Sequence, residues 1–158
     1  SLAGQTPQGP EQGMLNGAIF YDYYETKDGR YFSVGSLEPQ FMTGLAAALD
    51  LPILMAKGSS IDPEDRQAIK QALKEKFRSK DFAEWQSIFS QLDICVEPVL
   101  SLDEALTSPI AKQRGWVVDV PLSENTDQTE PQLACPIKFS RSQMRYQFIG
   151  QGLGQGKW

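Results

Sequence analysis

At 158 residues, with 41% hydrophobic and 22% charged side chains, the chain has the composition of a globular protein about one domain long. A net charge of −5 argues against nucleic acid, which wants a basic face, and no apolar run approaches the ~18 residues of a membrane span. The chain contains no histidine, which excludes Ser/His/Asp triads and most zinc sites built from it alone.

Residues 1–17 are rich in Gly, Gln and Pro and read as a linker, since they offer too little apolar surface to fold. Two aromatic runs follow, through Tyr23-Tyr24 and Tyr31-Phe32-Ser33-Val34. With Lys27-Asp28-Gly29-Arg30 between them they predict a β-hairpin, Asp28-Gly29 suiting a two-residue type I′ turn. The hairpin's acids, Asp22, Glu25 and Asp28, are expected on a wet face. Gly35 ends the second strand and Pro39 opens a helix, with Leu37, Phe41, Leu45 and Leu49 at helical spacing. Glu38 stands at that junction, where a helix dipole favours its ionised form.

A second helix starts at Asp62-Pro63-Glu64-Asp65, with Asp62 as cap and Ile69, Leu73 and Phe77 on its apolar face. A third is predicted at about 81–91, burying Phe82, Trp85, Ile88, Phe89 and Leu92. The Lys/Arg group at 74–80 complements helix ends, with a phosphate contact as the alternative. Cys95-Val96-Glu97-Pro98 suits a sheet edge because Pro98 cannot donate to a central ladder. Ser101-Leu102-Asp103-Glu104 is a capping box for a short helix, and Ile110–Arg114 supplies a further turn. Trp116–Val120 reads as a strand, residues 123–131 as a polar loop and Ile137-Lys138-Phe139 as a last strand. The order predicts an α+β fold with an antiparallel sheet over residues 18–140. Residues 141–158, with glycines at 150, 152, 154 and 156, read as a second linker. Cys95 and Cys135 match neither a zinc pattern nor a disulfide framework, which suits a reduced, cytoplasmic protein, and Cys95, beside apolar residues with no basic neighbour, is expected to be an inert thiol.

Two blocks carry a resemblance. One is Tyr24-Glu25-Thr26 with Asp28-Gly29 and Tyr31, followed by Gly35 and Glu38-Pro39-Gln40-Phe41. The other runs from Ala83-Glu84-Trp85 through Asp93-Ile94-Cys95-Val96-Glu97-Pro98-Val99-Leu100 to Glu104-Ala105-Leu106. In this order they resemble the family III CoA-transferases (CaiB/BaiF), and within them the alpha-methylacyl-CoA racemase branch. The resemblance implies that residues 18–140 are a small domain inserted, through the two linkers, into a large Rossmann-like domain that lies outside this sequence. It implies an acyl-CoA substrate, a homodimer and no metal or redox cofactor. The two proton-transfer bases, a His and an Asp, belong to the large domain. Glu38 maps onto the family Glu that pairs with that His across the dimer interface; a surface Glu at a helix entrance is its plain alternative. Tyr21 and Leu37 map onto residues lining the CoA thioester, with core packing as the alternative. Ile19 replaces a usual Pro, and Gly17 stands alone where two glycines are common. The expected reaction is epimerisation of 2-methylacyl-CoA thioesters by 1,1-proton transfer through an enolate. The alternatives are CoA transfer between carboxylic acids by an Asp nucleophile in the large domain, and a non-catalytic interaction domain.

Overall fold

The aromatic runs form the expected antiparallel hairpin in the computed structural model, which describes residues 17–150. Strand β1 (Asp22–Glu25) pairs with β2 (Tyr31–Val34) in a register that sets Asp22 opposite Val34 and Glu25 opposite Tyr31. The turn differs from type I′. The Thr26 amide donates to the Arg30 carbonyl at 2.7 Å, the Gly29 amide donates to the Thr26 carbonyl at 3.1 Å, and Gly29 has φ +76°. This is a type I turn closed by a left-handed glycine. Asp28 keeps a negative φ because its carboxylate is engaged: Oδ1 accepts from Thr26 Oγ1 at 2.5 Å and from the Phe82 amide at 3.0 Å. A third strand, β3 (Val96–Pro98), pairs antiparallel with β2 on its far side and leaves Pro98 on a sheet edge.

Four helices lie between β2 and β3: α1 (Pro39–Leu49), α2 (Ile53–Lys57), α3 (Pro63–Phe77) and α4 (Phe82–Phe89). The sequence predicts three of them. Helix α2, five residues long, is too short for a periodic signal. Helix α3 starts as expected, with the Asp62 carboxylate accepting from the Glu64 amide at 2.8 Å. An Asp81/Glu84 capping box opens α4, which ends at Phe89; Leu92 lies beyond it and is exposed rather than on the buried face. Helix α1 also differs in which face it buries. Met42, Leu45, Ala46 and Leu49 pack inward while Phe41 is half-buried outside the core. The helix approaches Ile94 through Gly44, where an added Cβ would sit 2.5 Å from Ile94 Cγ2, and this contact fixes its rotation.

The core is aromatic. Phe32 stacks on Phe82 at 4.9 Å and meets the edge of Phe89 at 5.3 Å, while Tyr24 stacks on Phe77 at 5.1 Å. Trp85 is fully buried, with Nε1 donating to the Phe77 carbonyl at 2.8 Å, so the aromatic face of α4 is core as its spacing predicts. Of the hairpin acids expected to be wet, Asp28 is exposed and Asp22 and Glu25 are half-buried, and all three tie the sheet to the helices. Asp22 pairs with Lys70 at 3.0 Å, Glu25 pairs with Arg78, and Asp28 caps α4. Part of the basic group at 74–80 is thereby engaged: Arg78 on Glu25, and Lys80 with its Nζ 5.6 Å from the Trp85 ring centroid.

The chain divides into two units after Val99. In the second, α5 (Leu102–Thr107) opens on the expected Ser101/Glu104 capping box, and α6 (Pro109–Arg114) ends at Gly115 with φ +61°. A two-stranded hairpin of β4 (Val117–Pro121) and β5 (Thr129–Leu133) follows. The last strand therefore comes from the polar stretch expected to be a loop, not from residues 137–139. Pro131 is tolerated opposite Asp119 because a two-stranded ladder leaves it an outer edge. Ile137 and Phe139 are both more than half exposed and outside any strand. Residues 141–150, expected to be linker, lie partly against this unit. The Tyr146 hydroxyl accepts from the Cys135 amide at 2.8 Å, and the Ile149 amide donates to the Pro121 carbonyl at 2.9 Å. The linker readings of residues 1–16 and 151–158 lie outside the described residues. Among the described residues no helix is long and apolar enough to cross a membrane.

Candidate functional site

Glu38 closes a four-residue connection between β2 and α1, and that connection is anchored to a distant part of the chain. The Gly35 amide donates to the Cys95 carbonyl at 2.8 Å, and the buried Ser36 hydroxyl donates to the Ile94 carbonyl. The Leu37 amide then donates to the Gly35 carbonyl at 2.9 Å, turning the chain tightly into the helix. Glu38 is the residue before the first helical position, at φ −76° and ψ 144°, and its carbonyl accepts from the Met42 amide at 2.9 Å. Its side chain is exposed and caps no backbone N–H. Among the described residues the carboxylate takes no hydrogen bond or ion pair, so it faces outward from a fixed backbone.

Cys95 lies beside this connection in a left-handed conformation, φ 51°, which is uncommon for a residue with a side chain. It is exposed as a residue, yet partial desolvation of the thiol pushes its pKa up, and the carboxylates of Glu38, Asp93 and Glu97 push it further. The thiol therefore stays protonated at neutral pH and is a poor nucleophile, in line with the inert reading.

Tyr21 sits at the entrance to β1, where the Gly17 amide donates to the Tyr21 carbonyl at 3.0 Å and the Tyr21 amide to the Ala18 carbonyl at 3.2 Å. Its side chain is 44% exposed, so it is not core. With Gly35, Ser33, Cys95 and Glu97 it lines a surface hollow of about 410 Å³. Leu37 is half-buried against the core and lines a different hollow of about 390 Å³. The structure thus does not bring Tyr21 and Leu37 into one pocket. Glu38 lines neither; Gly35 and Leu37, in the connection leading to it, border one hollow each.

The residues that hold Glu38 in place, Ser36, Ile94 and Gly44, escape a sequence reading. Only Gly44 leaves a trace, because a glycine inside a helix signals close packing. Ser36 and Ile94 are unremarkable types, and their contact spans 58 positions. Among the described residues, no three His, Cys, Asp or Glu side chains are grouped to hold a metal ion.

A family model, CoA-transferase family III, matches residues 1–155. The chain belongs to this family. It is 37% identical over 117 residues to human alpha-methylacyl-CoA racemase, which covers 70% of this chain and 28% of that protein. The mouse racemase is 42% identical over 108 residues, covering 66% of this chain and 27% of its own length. A CaiB/baiF CoA-transferase family protein of Caenorhabditis elegans, ZK892.4, is 31% identical over 84 residues, 53% of this chain and 23% of that one. The family III chain thus spans under a third of the curated relatives it matches. Among solved structures, a CAIB/BAIF family protein from Brucella suis superposes with a TM-score of 0.68 at 17% identity, over 96% of this chain and 39% of that one. The D175A mutant of Rv3272 from Mycobacterium tuberculosis gives 0.62 at 16% identity, over 79% and 35%. These likenesses concern the fold, and they agree with the α+β assignment.

Proposed function

We propose that this family III domain is the small domain of an enzyme that epimerises 2-methylacyl-CoA thioesters. The observation that carries the reading is the identity to two alpha-methylacyl-CoA racemases, 37% and 42%, over most of the described fold. Racemisation removes the proton from the carbon next to the thioester carbonyl on one face and returns a proton on the other. The C–H electron pair passes into the carbonyl as an enolate and comes back when the new C–H bond forms. Two acid/base groups must flank that carbon, and the chemistry calls for neither a metal nor a redox cofactor. This chain has no histidine, so in this reading both bases come from a large domain of the full-length protein. Glu38 contributes a charge. Exposed at the start of α1 and without a capping role, it is positioned to orient and stabilise an imidazolium of a second subunit. Tyr21 and Leu37, which line separate hollows, are the residues this reading sets against the thioester.

The test uses the full-length protein with a single epimer of a 2-methylacyl-CoA in D₂O. Epimerisation accompanied by deuterium at the α-carbon is expected. The C. elegans relative and the family's own description support a second reading, transfer of CoA between acids. Formation of a new acyl-CoA from an added carboxylic acid, with no α-exchange, would establish that reading in place of the first.

A further inference from the structure

The hollow lined by Leu37 has the make-up of a ligand site in its own right. Its walls are Ile19, Phe20, Leu37, Met42 and Ile61, its volume is about 390 Å³, and such size and apolarity are typical of small-molecule pockets. Gly58 makes the floor possible. It ends α2 directly over Phe20, where a Cβ would come within 2.9 Å of the ring.

One cation, Arg66, lines this apolar hollow, together with Ser59 and Ser60. Of the acids nearby in sequence, Glu64 is exposed and two residues away, and Asp65 and Asp62 are already committed. Asp65 accepts from Lys57 at 2.6 Å and from Ser60 at 2.9 Å, and Asp62 accepts from the Glu64 amide at 2.8 Å. Among the described residues the Arg66 guanidinium takes no hydrogen bond or ion pair. An arginine that is half-buried as a residue and without an anion, at the border of an apolar wall, complements a ligand with one anionic head and an aliphatic body. A guanidinium also suits a carboxylate geometrically, because its parallel N–H groups match the two oxygens.

We propose that this hollow binds a free aliphatic carboxylate, with the chain on Ile19, Phe20, Met42 and Ile61 and the head on Arg66. The site lies wholly within the first unit and needs no other domain. It shares Leu37 with the thioester contact of the racemase reading, but its test measures binding by this chain and not turnover, so the two can fail separately.

The experiment titrates the 158-residue chain with decanoate and, separately, with decanol, each below the concentration at which it aggregates, by calorimetry. Saturable one-to-one binding of decanoate is expected, with decanol weaker by about ten- to a hundredfold, the range of a hydrogen bond to a charged group. Arg66→Gln should bring decanoate down to the level of decanol and leave decanol unchanged. Ile61→Ala, at a position 93% exposed and so harmless to folding, should weaken both ligands several-fold. No saturable binding, decanoate bound no better than decanol, or decanoate affinity unaffected by Arg66→Gln would each overturn the proposal.

Discussion

Glu38→Gln keeps the size and hydrogen-bonding capacity of the side chain and removes its charge. In the full-length protein this should lower the rate of α-proton exchange by about 10²-fold, the scale of a positioned charge or proton-transfer group. Folding should be unaffected, because the side chain caps nothing and takes no partner among the described residues. Unaltered turnover would make Glu38 an ordinary surface residue. A second residue-scale expectation concerns acid. The Asp28 carboxyl is held below its usual range by the Thr26 hydroxyl and then by the Phe82 amide, and Glu25 is held low by Arg78. Groups depressed in the folded state stabilise it fully above their unfolded pKa of ~4, and that contribution is lost as pH falls through the folded value. Urea midpoints should therefore hold between neutrality and about pH 5 and decline below. Asp28→Asn should start lower at pH 7 and decline less steeply, and an identical acid profile would contradict this. Pro39 places Glu38 at a helix start and the resemblance of Glu38-Pro39-Gln40-Phe41 makes it a candidate, whereas the engagement of Asp28 depends on a partner 54 positions away.

Elements with a strong local signal are legible from sequence alone. The hairpin, α3 with its Asp62-Pro63 start and α4 with its aromatic face all appear where expected. Two kinds were not. Helix α2 is short, and β5 is strand only because β4 offers it a ladder; nothing in Thr129-Glu130-Pro131 favours extension by itself. The burial face of α1 differs from its sequence pattern because Phe41 suggests core by type, while the actual constraint is the approach of Gly44 to Ile94. That constraint is testable. Gly44→Ala gains about 1 kcal/mol of helix propensity but puts a methyl 2.5 Å from Ile94 Cγ2, and overpacking of this kind costs about 1–3 kcal/mol. A net loss of about 1 kcal/mol is expected from chemical denaturation. In an Ile94→Ala background the same change should stabilise, because only the propensity remains. If both backgrounds respond alike, the contact does not set the helix.

At the scale of the whole molecule the two units are unequal. The first contains the aromatic core, and residues 1–99 should fold when expressed alone. Among the described residues of the second, Ala111 and Val120 are the buried hydrophobics, and its sheet is a single hairpin, which is marginal in water. Residues 100–158 expressed alone should give a circular dichroism spectrum without cooperative melting; a sharp transition would show a core that burial does not reveal. The intact 158-residue chain should leave the α-proton of 2-methylacyl-CoA unexchanged, since it carries no histidine. No change in composition marks Val99, so the boundary between the units has no signal in the sequence.

The bond between the Ser36 hydroxyl and the Ile94 carbonyl also sets a timetable. The β1–β2 hairpin and the first turn of α1 can form from residues close in sequence, but the connection that aims Glu38 cannot be held until the chain has reached Cys95. Closing so long a loop early carries an entropic cost that only the packed α3 and α4 can offset. During synthesis the carboxylate should therefore acquire its orientation last within its unit. A nascent chain halted before Ile94 should show a disordered approach to α1, which orders once residues through Cys95 are available.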